Sequence, residues 1–127
     1  MIIAVEGNPL PLQRARSGKQ GFYDPQMIAK RNFAYIVKEQ YKDPPITTAI
    51  ALTLDFYFAM PNSWSKKKKK LMEGKPHLDK KDIDNLAKYV LDSLNYIVWE
   101  DDCLISDLHA TKIWAKKGLT KIEIKVG

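Results

Sequence analysis

Disulfides are the first thing this 127-residue chain lacks. Cys103 is its only cysteine, which excludes an intramolecular bridge and a multi-cysteine zinc site. Histidine is scarce as well: His77 and His109 stand alone, so neither a zinc cluster nor a Ser-His-Asp or Cys-His nucleophilic site finds support. No apolar run approaches the ~18 residues that span a bilayer, and no Gly-rich phosphate loop occurs among the six glycines. The opening MIIAVEGNPLP has neither the charged region nor the cleavage site of a secretory leader. These absences predict a reducing, cytoplasmic setting, no membrane and no small-molecule cofactor.

What is present is charge, unevenly placed. The chain is 45% hydrophobic and 28% charged, with a net charge of +6. That is the balance of one soluble domain, here taken as residues 1–127. Between Trp64 and Lys81, eight lysines face only Glu73 and Asp79. Between Asp82 and Asp107, seven acids face only Lys88. A basic chain with a compact acidic island suggests a polyanion met at a carboxylate site.

Periodicity supplies the elements. Ile2–Val5 reads as a strand closed by Gly7-Asn8-Pro9, and Pro11–Gly21, with Arg14, Arg16 and Lys19, as a mobile basic loop. Asp24-Pro25 is a helix start with Asp as N-cap. Ala29, Phe33, Ile36, Val37 and Tyr41 give that helix an apolar face, and Pro44-Pro45 ends it. Apolar residues alternate from Ile50 to Met60, which predicts a long strand central to the sheet. Ser65 and Gly74 bracket a short helix carrying Lys66 to Lys70, whose charge on all sides must face solvent or an anion. Gly74–Lys81 reads as a flexible connector. Leu86, Val90, Leu94 and Ile97 mark a further helix, and the C-terminus reads as a β-hairpin turning at Lys116-Lys117-Gly118. The order β-α-β-α-α-β-β predicts an α/β (α+β) fold, a mixed sheet packed against helices.

Asp82-Ile83-Asp84-Asn85 sits at the start of that helix. Taken alone, the simpler reading is a cap, with Asp84 at or near the N-cap and Asp82 solvated beside it. A second pair, Asp101-Asp102, shifts the balance. A helix from Asn85 to Asn95 climbs roughly 16 Å, and an antiparallel return would bring Asp101-Asp102 back beside Asp82. Carboxylates with phosphate oxygens suit magnesium, whereas Leu86 and Ala87 break the calcium-loop pattern of an EF-hand. Lys88 lies one turn beyond Asp84, either in an ion pair with it or free to offset charge on a phosphate.

A longer spaced motif joins these pieces. Ser63-Trp64-Ser65 and the lysine run lead through Gly74-Lys75-Pro76-His77 to Asp82-Ile83-Asp84-Asn85-Leu86-Ala87-Lys88. Leu91-Asp92-Ser93-Leu94-Asn95 and Ile97-Val98-Trp99-Glu100-Asp101-Asp102 follow. The chain resembles the RusA family of Holliday junction resolvases, common in phages and prophages, most densely from Pro61 to Asp102. The resemblance implies that Asp82, Asp84 and Asp102, with Asp101 as partner of Asp102, hold Mg2+ or Mn2+, and that Lys88 is functional. It also implies a homodimer that makes paired nicks in a four-way DNA junction. Arg14, Arg16, Lys66, Lys67, Lys68, Lys69, Lys70, Lys80 and Lys81 are expected to hold DNA backbones. Two residues depart from the pattern. Tyr96 stands where many relatives carry Gly, which would leave Asn95 to end the helix in a left-handed conformation, and Leu104 replaces a common Gln. A nuclease of other branched DNA, or a junction-binding protein without catalysis, are the alternative readings.

Overall fold

The longest alternating run becomes the strand on which the sheet is built. The computed structural model describes residues 1–13, 16–18 and 21–127, with the side chains of 16–18 and 22 outside the description. In it β4, Ile50–Ala59, is flanked on both sides. It follows β1 (Ile2–Glu6), a small hairpin of β2 (Arg16–Gly18) and β3 (Gly21–Tyr23), and helix α1 (Met27–Gln40). Helices α2 (Lys66–Met72) and α3 (Ile83–Ser93) come next, then a single 3₁₀ turn at Asp102–Leu104 and strands β5 (Ile105–Ala115) and β6 (Leu119–Val126). The main sheet has the order β1-β6-β4-β5.

Strand alternation puts Ile50, Leu52, Leu54, Phe56 and Phe58 on one face, all buried. They pack with Ile3, Val5, Ile122 and Ile124 of the neighbouring strands and with Phe33 and Val37 of α1 and Leu86 and Val90 of α3. Each such side chain contributes roughly 1.5–3 kcal/mol by leaving water. On the opposite face Thr111 Oγ1 donates to Asp55 Oδ1 at 2.7 Å, tying β5 to β4.

The element order and the mixed α/β class agree with the sequence, and several local readings are corrected. The C-terminal strands do not form a hairpin: β4 lies between them, parallel to β5 and antiparallel to β6. The turn at 116–118 therefore crosses the end of β4. Gly118 lies so close to Asn8 that a Cβ would overlap its backbone, and Gly7 N–H donates to the Gly118 carbonyl at 3.0 Å. The basic loop contains the β2–β3 hairpin. Helix α1 starts after Gln26, because Asp24 accepts a bond from Gln26 N–H at 2.8 Å and closes a turn instead of capping the helix. It stops at Gln40, four residues short of Pro44.

Candidate active site

Helix α3 carries the first acidic pair. Asp82 is its N-cap, extended at φ −65° and ψ 130°, yet its side chain makes no capping bond. Asp84 lies in the first turn and caps nothing. The cap expected of Asp84 is thus absent, and an uncapped Asp at this position forgoes about 1 kcal/mol of helix stability. Both carboxylates are exposed at the positive end of the helix dipole, and neither has an ion-pair partner among the described residues. They line one cavity with Pro76, His77, Leu78, Ile83 and Lys112.

The connector that forms the rim of this cavity is fixed in place. Gly74 N–H donates to the Trp114 carbonyl at 2.9 Å, Trp114 N–H to the Lys75 carbonyl at 3.0 Å, and His77 N–H to the Lys112 carbonyl at 3.0 Å. His77 is buried, with its ring centroid 4.0 Å from that of Phe58 and 4.4 Å from that of Trp114. Its Nδ1 has no hydrogen-bond partner among the described residues. Burial first, and the positive charge of Lys112 second, hold the imidazole below its ordinary pKa. Lys112 Nζ donates to the Lys81 carbonyl at 2.7 Å and the Asp79 carbonyl at 3.3 Å, so it ties the residues just before Asp82 to β5. The mixed β-like and polar residues of β5 mark Lys112 only as one more strand residue, and nothing in the sequence singled it out.

Asp101 and Asp102 lie elsewhere. Asp101 Oδ1 accepts from Cys103 N–H at 3.2 Å and caps the 3₁₀ turn. The approach to this turn is held by Ile46, whose N–H donates to the Val98 carbonyl and whose carbonyl accepts from Glu100 N–H. Trp99 is fully buried, and its indole N–H donates to Asn95 Oδ1 at 3.1 Å. The Asp102 carboxyl is held above the ordinary carboxylate range, first by partial loss of hydration, then by Asp101 beside it, with Asp92 adding to the effect and Asn95 opposing it. Asp92 lies in the last turn of α3 and Asn95 two residues beyond its end. The antiparallel return therefore does not bring Asp102 back to Asp82. Along α3 the two acidic pairs are roughly 16 Å apart, and no group of three or more His, Cys, Asp or Glu among the described residues could hold a metal ion. The geometric reason is that Trp99 anchors the returning chain in the core at the end of α3, and β5 then leaves from there.

Lys88 is exposed on α3 and forms no ion pair among the described residues, although Asp84 and Asp92 are each four residues away. Asp92 is taken by Lys30 of α1 at 2.6 Å. On α2, Ser65 Oγ accepts from Lys68 N–H at 3.1 Å, and the helix buries none of its residues, as the lysine run requires. Lys68 Nζ stands 4.2 Å from the Trp64 ring centroid, and Trp64 packs edge-on to Trp114 at 4.8 Å. Lys80 and Lys81 are exposed just before Asp82. Arg14 falls outside the described residues, and of Arg16 only the backbone, in β2, is described. The segment leading to them is fixed to α3, because Leu12 N–H donates to the Asn85 carbonyl at 2.9 Å. Gln26 clamps the same segment, accepting from Gln13 N–H and donating to the Pro11 carbonyl, both at 2.8 Å. No helix among the described residues is long and apolar enough to cross a membrane. Tyr96, not Asn95, takes the left-handed conformation after α3, with φ 67°.

Comparison with known proteins bears on this arrangement. The sequence model of one family, described as endodeoxyribonuclease RusA, matches residues 6–126. The chain is also similar to the uncharacterized protein YqaN of Bacillus subtilis (strain 168), at 28% identity over 131 residues that cover 95% of this chain and 92% of that protein.

Proposed function

The chain belongs to the RusA family, an endonuclease family that resolves Holliday junctions, and we propose that it does so as a cytoplasmic homodimer using Mg2+ or Mn2+ held by aspartates. The observation that carries the metal assignment is the uncommitted pair Asp82 and Asp84 at the start of α3. An N-cap aspartate that leaves its backbone donors unserved, next to a second free carboxylate, offers oxygen ligands of the kind hard divalent cations take. Asp82 and Asp84 fit such an ion; Asp102, supported by Asp101, is the further ligand that the family resemblance implies, and within one chain it lies at the other end of α3. At Asp102 partial loss of hydration first, and the neighbouring Asp101 second, penalise ionisation, a penalty that a cation relieves.

A bound divalent ion supplies an activated water and charge stabilisation at the phosphate. The protein residues do the rest. Lys88, free of ion pairs among the described residues, offsets the charge that develops on the phosphate. Lys112 and the connector fix the approach to Asp82. The lysines of α2, with Lys80, Lys81, Arg14 and Arg16, neutralise DNA phosphates in this reading. Two equivalent sites related by a two-fold axis match a junction that must be cut on two strands.

A cleavage assay on synthetic four-way junctions, with and without Mg2+, tests the reading. Wild type is expected to make paired nicks only with the divalent ion. Asp82→Asn is expected to bind junctions but to cut them at least ~100-fold more slowly. Undiminished cutting by Asp82→Asn refutes the ligand assignment.

A further inference from the structure

Lys112 is held by carbonyls and not by carboxylates. Its register partner on β4 is Phe56, so its stem leaves β5 on the helix-covered side of the sheet. The ammonium ends at the connector, where it donates to the carbonyls of Lys81 at 2.7 Å and Asp79 at 3.3 Å. An ammonium has three N–H donors, and the third has no partner among the described residues. Asp82 and Asp84 line the same cavity, yet neither pairs with Lys112 among the described residues. Two neutral carbonyls thus fix this cation in place and leave its charge uncancelled.

The cavity has room for an anion beside it. Its volume is about 470 Å³, against roughly 30 Å³ for one water in the liquid. Pro76, His77, Leu78 and Ile83 complete the wall, and Lys112 is the one lysine or arginine in it among the described residues. Lys88, the cation that the spaced motif marks, is not part of that wall.

We infer that Lys112 is a second catalytic cation, whose free N–H contacts a non-bridging oxygen of the phosphodiester being cut, beside Asp82 and Asp84. The inference rests on the endonuclease reading above, because the anion it names is the phosphate of that substrate. Lys112 donates a hydrogen bond and moves no proton. Negative charge that builds on the phosphate oxygens meets a cation already in position, and a donor placed beforehand costs no reorganisation during the reaction. Lys80 and Lys81 are exposed and must give up side-chain freedom to do the same, whereas Lys112 is half-buried and anchored at its head. The carbonyls that anchor it stand one and three residues before Asp82. One side chain therefore sets both the phosphate contact and the approach to the carboxylate pair.

A neutral phosphate reads the contact apart from the metal. Junctions are prepared with an uncharged methylphosphonate at the cut positions, mapped from wild-type products, and binding is measured without divalent ions. The ratio of affinities for the natural and the neutral junction is expected to fall roughly ten-fold from wild type to Lys112→Met. Repulsion by Asp82 and Asp84 is common to both proteins and leaves that change intact. With Mg2+, Lys112→Met is expected to cut the natural junction about 100-fold more slowly.

An unchanged affinity ratio overturns the contact, even where Lys112→Met cuts slowly or melts early, because a lost strut weakens both junctions alike. Wild-type cutting by Lys112→Met overturns it as well. If Lys112→Met does not fold, Lys112→Gln keeps a donor for the connector without the charge, and the same ratio decides. Undiminished cutting by Asp82→Asn overturns the metal assignment and leaves the ratio to decide Lys112. A wild type that cuts no junction with any divalent ion overturns both.

Discussion

Lys30 of α1 reaches Asp92 of α3 at 2.6 Å and Asp24 at 2.7 Å. One ammonium thereby joins the turn that precedes α1 to the helix that carries the acidic pair. Burial works against its charge, but the two carboxylates outweigh that and hold Lys30 above the ordinary lysine value. Asp24 is correspondingly held below the carboxylate range, chiefly by Lys30 and then by Gln26 N–H. The Lys30 side chain is only 15% exposed, whereas that of Asp92 is 50% exposed, so solvent screens much of the attraction. Lys30→Ala is expected to cost about 1 kcal/mol, read as a lower denaturation midpoint with an unchanged m-value. An unchanged midpoint rejects the strut.

Lys88 has the opposite profile, exposed and without an ion pair among the described residues. Lys88→Ala should leave the thermal midpoint nearly unchanged and slow junction cleavage by roughly 100-fold or more. Equal loss of stability and activity would instead make Lys88 a structural residue.

His77 makes the fold acid-sensitive. Its folded pKa is depressed, by burial first, then by Lys112, with Asp79 opposing and Lys81 adding to the depression. The unfolded chain therefore takes up the proton first as pH falls. Stability is full above the ordinary histidine value of about 6.5 and declines below it. His77→Phe keeps a ring against Phe58 and Trp114 and removes a buried Nδ1 that has no hydrogen-bond partner among the described residues. Thermal midpoints from pH 7.5 to 5 should fall for wild type and flatten for His77→Phe. Parallel curves would contradict the account.

Tyr96 occupies the left-handed region at φ 67° while its side chain is 75% exposed. A non-glycine residue there costs roughly 1–2 kcal/mol, and the chain entropy lost by glycine on folding offsets part of the gain. Tyr96→Gly should raise stability by about 0.5–1 kcal/mol, measured by denaturant unfolding. A destabilised variant would mean that the ring packs where the backbone argument ignores it.

The lysines of α2 bury nothing. Replacing Lys66, Lys67 and Lys70 by Gln should preserve the fold and weaken junction binding. The log–log slope of affinity against salt should become shallower by about one for each phosphate that is no longer neutralised. Lys68 is left in place because it covers Trp64. An unchanged slope would remove α2 from the DNA-binding surface.

Local patterns were most informative where one element's own period sufficed. Alternation over Ile50–Ala59 marked the buried central strand, and the capping serine with five lysines marked an exposed α2. The spaced motif from Ser63 to Asp102 marked the family. Capping was less legible. Asp24-Pro25 carries the helix-start signal, yet the Asp24 side chain bonds Gln26 N–H and delays α1. Asp82 has the composition of a cap and does not cap. A carboxylate two residues from several donors can satisfy any of them, and composition does not choose.

By itself, then, the sequence determined the number and kind of main elements, their buried faces and the family. Tertiary structure decided who meets whom. It inserted β4 between the two C-terminal strands, turned His77 from a connector residue into core, brought Lys112 to the acidic pair, and set Asp102 beside Asn95 at the far end of α3. The physical reason is range. Helical and strand periods are enforced by neighbours a few residues away, so they are written along the chain. Pairings such as Ile50 with Ile105, or the burial of Trp99 under the end of α3, depend on residues far apart in the chain whose apolar surfaces fit only once the sheet exists.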